Sequence, residues 1–184
     1  FQYVLSELAD GGDMEGACKL RPKLMWPVEQ LPTMLYQMLF SLHAAQQELM
    51  LRHYDVKLLN FFLTNPAART TGAAAQALPA AAEVDDAAES YALRMHYGVD
   101  GREHVLSLPL DQPSLVLLAD FGTADVSPAT MGEPIAHRHF TTLENTPPDF
   151  LLLGARARQG YEADAFALGL CWLHLLTGCA PYEE

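Results

Sequence analysis

Two short motifs carry the residues that could do chemistry: His53-Tyr54-Asp55-Val56-Lys57-Leu58-Leu59-Asn60 and Asp120-Phe121-Gly122. A carboxylate such as Asp55 can orient a hydroxyl nucleophile and accept its proton. An ammonium such as Lys57 can neutralise a phosphoryl group in flight. An amide oxygen and a second carboxylate, Asn60 and Asp120, can hold magnesium. Magnesium takes hard oxygen ligands in octahedral geometry and shares them with nucleotide phosphates. Asp55 and Asn60 are close enough for one loop to aim the first at a substrate hydroxyl and the second at the metal. Lys57, two residues after Asp55, reaches the same face. Phosphoryl transfer asks for little covalent chemistry, so positioning and charge stabilisation carry its rate. Asp-Phe-Gly alone is common by chance. The weight lies in both motifs occurring in order, each beside an apolar run. The bland alternative is that Asp55 caps a helix and Asp120 opens a turn.

Elements must hold these groups in place. Phe61-Phe62-Leu63 after the first motif and Leu115-Val116-Leu117-Leu118-Ala119 before the second read as strands. Leu31, Met34, Leu35, Met38, Leu39 and Leu42 recur at helical spacing and predict an amphipathic helix leading into the first motif, with its stripe in the core. His43 beyond it reads as a surface or packing histidine. Ala165 to Gly178 is apolar all round, which predicts a buried helix, and Gly178 followed by Pro181 stops it. The run is too short to cross a bilayer, which takes about twenty residues.

With these residues in place, the chain resembles the eukaryotic protein kinase family, serine/threonine type, over the hinge and large lobe. The fold class implied is mostly α (α+β), a kinase-like large lobe with short β-hairpins around the catalytic loop. By resemblance, residues 1–14 are the last small-lobe strand and the hinge. Ser6 is then the gatekeeper, Glu7, Leu8 and Ala9 offer backbone groups to adenine, and Asp13 sits near the ribose. Residues 15–66 hold helices and the catalytic loop, 114–149 the Asp-Phe-Gly and activation segment, and 150–184 the spine helix region. The resemblance implies ATP and Mg2+ as cofactors and a protein Ser/Thr hydroxyl as acceptor. Asp55 and Lys57 are catalytic, Asn60 and Asp120 bind the metal, and Gly122 lets the backbone turn after the ligand. His53 and Phe121 belong to the same motifs. Thr142 falls where serine/threonine kinases place a threonine that contacts the catalytic aspartate and lysine. Asp164 matches the aspartate that ties down the catalytic-loop backbone.

The chain also departs from the family. Tyr54 stands where an arginine usually precedes the catalytic aspartate. That arginine normally pairs with a phosphorylated loop, so its replacement implies that loop phosphorylation is not the main switch. Thr146-Pro147-Pro148-Asp149 resembles the Ala-Pro-Glu end motif with Asp for Glu. These changes, with the insertion described below, support a second reading, a pseudokinase acting as a binding or scaffold module. A small-molecule kinase is a third reading, weakened by Lys57. No glycine-rich loop or lysine strand precedes the hinge, so the chain reads as part of a longer polypeptide.

Residues 67–113 form an insertion. Its first part, Ala67 to Ala92, is mostly alanine with scattered acids and reads as a spacer or surface helix. Gly98-Val99-Asp100-Gly101 reads as the centre of a hairpin. Half of the 184 residues are hydrophobic, as in a globular chain, and a net charge of −12 argues against a nucleic-acid surface. Cys18, Cys171 and Cys179 are too few and too scattered for a disulfide framework. They read as free thiols in a reducing compartment, an intracellular and cytoplasmic setting. His137 and His139 are the nearest pair to a zinc motif, and a plain loop suits them better. No membrane-spanning segment is expected, and oligomeric state is not legible.

Overall fold

In the computed structural model the described residues are 8–20, 29–64, 92–109, 115–135 and 142–182. Ser6 and Glu7 of the expected hinge, nearly all of the alanine-rich tract, Thr141, His137 and His139 lie outside them. Helices and small two-stranded sheets make the described residues an α+β protein. They divide into two compact units, Phe1–Gly12 with Leu63–Leu115 and Asp13–Phe62 with Val116–Glu184.

The second unit is mainly helical. Helix α1 spans Met14–Lys19 and α2 spans Leu31–Leu49. The Asp13 carboxylate caps α1 by accepting the Gly16 N–H at 2.6 Å, and Glu15 pairs with Lys19 one turn on. Pro32 occupies the first turn of α2, where its missing N–H has no helical partner to lose. Met50, left-handed at φ 52°, closes the other end. Leu31, Met34, Met38 and Leu42 are buried as expected. Leu39 is not, being 46% exposed, and Leu35 is half-buried, so the apolar stripe is narrower than its sequence. Gln37 is buried instead, because its Oε1 accepts the Val116 N–H at 3.0 Å.

Helix α3 spans Pro148–Leu153, and α4 spans Glu162–Thr177. Gly178 ends α4 in the left-handed region (φ 71°), its N–H donating to the His174 carbonyl at 2.8 Å. The all-round apolar sequence of α4 is buried on one side only. Ala163, Asp164, Ala167, Leu168, Cys171 and Leu175 face inward, while Leu173 and Leu176 are about half exposed. Helix α2 packs against α4.

Strand β1 (Phe61–Thr64) pairs with β4 (Leu115–Leu118), and β2 (Ala92–Val99) pairs antiparallel with β3 (Arg102–Pro109). The hairpin read from residues 98–101 is present, with a tighter turn than expected. Gly98 and Val99 lie in β2, and only Asp100 and Gly101 make the connection. Both have positive φ, 50° and 70°, which matches the right-handed twist of the flanking strands. In the same unit, Gly11 donates to the Leu63 carbonyl at 2.9 Å. A Cβ on Gly11 would come within 2.8 Å of that oxygen, so only glycine permits the approach. Among the described residues no helix is long and apolar enough to cross a membrane.

Candidate active site

Every residue from Leu51 to Val56 is buried. The loop they form has no regular hydrogen-bonding ladder, so its polar groups must find other partners. One carboxylate supplies two of them. Asp164 in the first turn of α4 accepts the His53 N–H at 2.7 Å and the Tyr54 N–H at 2.8 Å, one on each oxygen. Burial pushes the Asp164 carboxyl above its ordinary value, and the two N–H bonds pull the other way. Tyr54 is left-handed at φ 63°, an uncommon conformation that Asp164 helps to hold from behind. Its ring joins Ile135, Phe150, Ala157 and Ala163 in an apolar cluster, and its hydroxyl donates to Gln159 Oε1 at 2.9 Å. Burial drives the phenol above its ordinary value, outweighing the nearby Arg52 charge.

The loop presents Asp55 at the centre of a small network. Lys57 Nζ donates to Asp55 Oδ2 at 2.7 Å and to Thr142 Oγ1 at 3.1 Å. Thr142 Oγ1 donates in turn to Asp55 Oδ1 at 2.7 Å. Asn60 Nδ2 donates to the Asp55 carbonyl at 2.8 Å and to Asp55 Oδ2 at 3.1 Å. Asp55 is therefore no helix cap. Its carboxylate gathers an ammonium, a hydroxyl and an amide drawn from two distant stretches of chain. Asn145 fixes the far side by donating to the Val56 carbonyl at 2.8 Å.

The second motif is tied to the first through backbone and rings. Ala119 donates to the Asn60 carbonyl at 2.9 Å, and the Ala119 carbonyl lies 2.9 Å from His53 Nε2. The Phe121 ring sits 5.3 Å from the His53 ring at a tilt of 55°. Thr123 Oγ1 donates to the His53 carbonyl at 2.9 Å. The backbone turns after Asp120 through Phe121–Thr123, with Gly122 at the centre of the turn. Asp120 carries the left-handed conformation (φ 60°), and Gly122 does not have positive φ. The Gly122 N–H instead approaches Asp120 Oδ1 at 3.4 Å, so Asp120 also opens a turn, as the bland alternative had it. Asp120 is exposed.

Both Nδ2 hydrogens of Asn60 are directed at Asp55. The amide oxygen is left as its acceptor, and Asp120 adds an exposed carboxylate one residue beyond the Ala119–Asn60 bond. Asn60 and Asp120 are the two oxygen-bearing side chains that could hold a magnesium ion, which takes few protein ligands and keeps several waters. No group of three His, Cys, Asp or Glu that could hold a metal occurs among the described residues.

Beside Lys57 and Thr142 opens a groove of about 640 Å3, lined also by Glu15, Glu144, His174 and Tyr182. Of the expected hinge residues, Leu8 is 86% exposed and Ala9 is half-buried, its carbonyl accepting the Gly12 N–H at 3.4 Å. Asp13 is engaged as the α1 cap.

Sequence reasoning passed over Arg52, Asp125, Asn145 and Gln159, each of which supports the loop or the segment that follows Asp120. A charged or amide residue in sequence looks like a solvated one, and only its partners in the fold reveal these. The sole local signal was Arg52 standing directly before the His53 motif, inside an otherwise apolar approach. No known family model matches the chain, and no curated protein matches it.

Proposed function

We propose that this chain is the large lobe of a serine/threonine protein kinase, which transfers the terminal phosphoryl group of ATP to a protein hydroxyl. The observation that carries the reading is the Asp55–Lys57–Thr142 network, with Asn60 bonded to the same carboxylate. Asp55 holds the incoming hydroxyl in line and accepts its proton. Lys57 is already within bonding distance of that carboxylate, so its charge falls where the transferred group passes. Thr142 fixes both side chains and exchanges partners as a substrate enters. Asn60 and Asp120 are the residues that would hold Mg2+, which supplies charge neutralisation at the phosphates when bound. A groove of about 640 Å3 opens beside Lys57 and Thr142, and in this reading the acceptor approaches through it.

Phosphate transfer from labelled ATP with magnesium tests the reading, using the full-length protein beside its Asp55→Asn variant. A general basic protein serves as acceptor, and autophosphorylation counts equally. Removing a positioned base should lower the rate by about two orders of magnitude or more. Transfer that disappears in the variant supports the kinase reading. No transfer by either protein, with ATP binding also absent, would overturn it and leave a binding or scaffold role.

A further inference from the structure

Arg52 is 0% exposed, although it carries a full charge and directly precedes the loop that presents Asp55. A charge removed from water must be paired or it is costly. Among the described residues, the partners of the Arg52 guanidinium lie in residues 125–131. Nη2 is 3.3 Å from Asp125 Oδ1 and donates to the Ser127 carbonyl and to Thr130 Oγ1, each at 2.8 Å. Nη1 reaches Met131 Sδ at 3.5 Å. Nε finds no partner among the described residues.

Asp125 is bound from the other side as well. Its Oδ2 accepts the Thr130 hydroxyl at 2.7 Å, and its Oδ1 accepts the Ser127 N–H at 2.8 Å. The backbones of Arg52 and Asp125 exchange two N–H···O bonds, both 2.9 Å. The Asp125 carboxylate thus organises the stretch that leaves Asp120, while its backbone and its ion pair clamp that stretch to the residue before His53.

We infer that Arg52 and Asp125 are positioning residues, in which an internal carboxylate does the work a phosphorylated hydroxyl would do. The pair holds residues 125–131 in their working arrangement without covalent modification. Thr130, the hydroxyl closest to the charge, is already engaged as acceptor from Arg52 and donor to Asp125. The effect reaches the chemistry through Thr123, which lies between Asp120 and Asp125 and is bonded to the His53 carbonyl. This inference rests on the kinase reading for its catalytic consequence, but not for its structural one.

The experiment compares the full-length protein, before and after phosphatase treatment, with its Asp125→Asn variant. Amide hydrogen exchange is followed over residues 125–131 and over α4, and kcat and KM for ATP are measured alongside. The unmodified protein should keep both its protection and its activity after phosphatase. Asp125→Asn should speed exchange in 125–131 while leaving α4 unchanged. It should lower kcat about a hundredfold, the scale of a misplaced catalytic group, with KM for ATP little altered. Unchanged exchange in the variant, or loss of protection on phosphatase treatment, would overturn the inference. If Asp125→Asn does not fold, the double variant Arg52→Met/Asp125→Leu takes its place with the same readouts, since it leaves no buried charge unpaired. A protein that transfers no phosphate would sink the kinase reading, and the exchange measurement would still decide this one.

Discussion

Two backbone N–H groups, those of His53 and Tyr54, point inward and meet one carboxylate. Nothing else among the described hydrogen bonds serves them, so Asp164 is the residue on which the shape of the loop turns. Asp164→Ala would leave both donors buried and unpaired. An orphaned buried donor costs about 1–3 kcal/mol, so with two of them the variant should lose roughly 2–6 kcal/mol in urea unfolding. Lys57, Asn60 and Thr142 were legible in sequence because motif spacing or family resemblance singles them out. Arg52 and Asp125 were not. Arg52 finds Thr130 at a separation of 78 residues, and no periodicity signals such a meeting. Tyr54 looked like a lost arginine. In place it is a packing residue whose hydroxyl reaches Gln159, a role that neither its neighbours nor its spacing announces.

At the scale of elements, helices α2 and α4 were legible because apolar periodicity and stop residues are local signals. The end of α4 bears this out. Gly178 is left-handed and hands its N–H to His174, so a side chain there is strained. Gly178→Ala should lower thermal stability by about 1 kcal/mol, read as a drop in melting temperature with no change in the helix content of the folded state. Less legible was how much of each helix would be covered. Leu39 on α2 and Leu173 and Leu176 on α4 belong to apolar patterns yet stay partly exposed, since burial depends on the neighbour opposite and not on the residue itself. The turn after β4 was legible from Gly122, but not which residue would be left-handed. Asp120 takes the left-handed position, a conformation that a short polar side chain tolerates better than most. The hairpin was legible from the turn residues in Gly98–Gly101, though only its Asp-Gly pair forms the connection.

For the molecule as a whole, the buried ionisable groups set its response to pH. Burial pushes the Cys171 thiol on α4 from an ordinary 9.0 up to about 12, so the folded state favours the neutral form. The unfolded chain ionises first. The stability this group contributes is complete below pH 9 and is lost as pH rises through about 12. The Tyr54 phenol, also pushed upward by burial, acts in the same sense. Melting temperature followed from pH 8 upward should therefore fall, and Cys171→Ala should flatten the first part of that fall. A curve of unchanged slope in the variant would show that the thiol is not shielded. Thiol labelling at pH 8 offers a second check, with exposed Cys179 reacting before buried Cys171.

The bond from Asp164 to the loop has a consequence for the order in which the chain can fold. It joins groups 110 and 111 residues apart, and the Thr142–Asp55 bond spans 87. Contacts of such length form late, because the intervening chain must first be closed into a loop. On a ribosome, where the N-terminal part emerges first, residues 53–55 leave the tunnel long before their partners are made. The geometry around Asp55 is thus an end product of synthesis. Until α4 docks, His53-Tyr54-Asp55 lacks the carboxylate that gathers two of its backbone N–H groups, and the arrangement around Asp55 is incomplete.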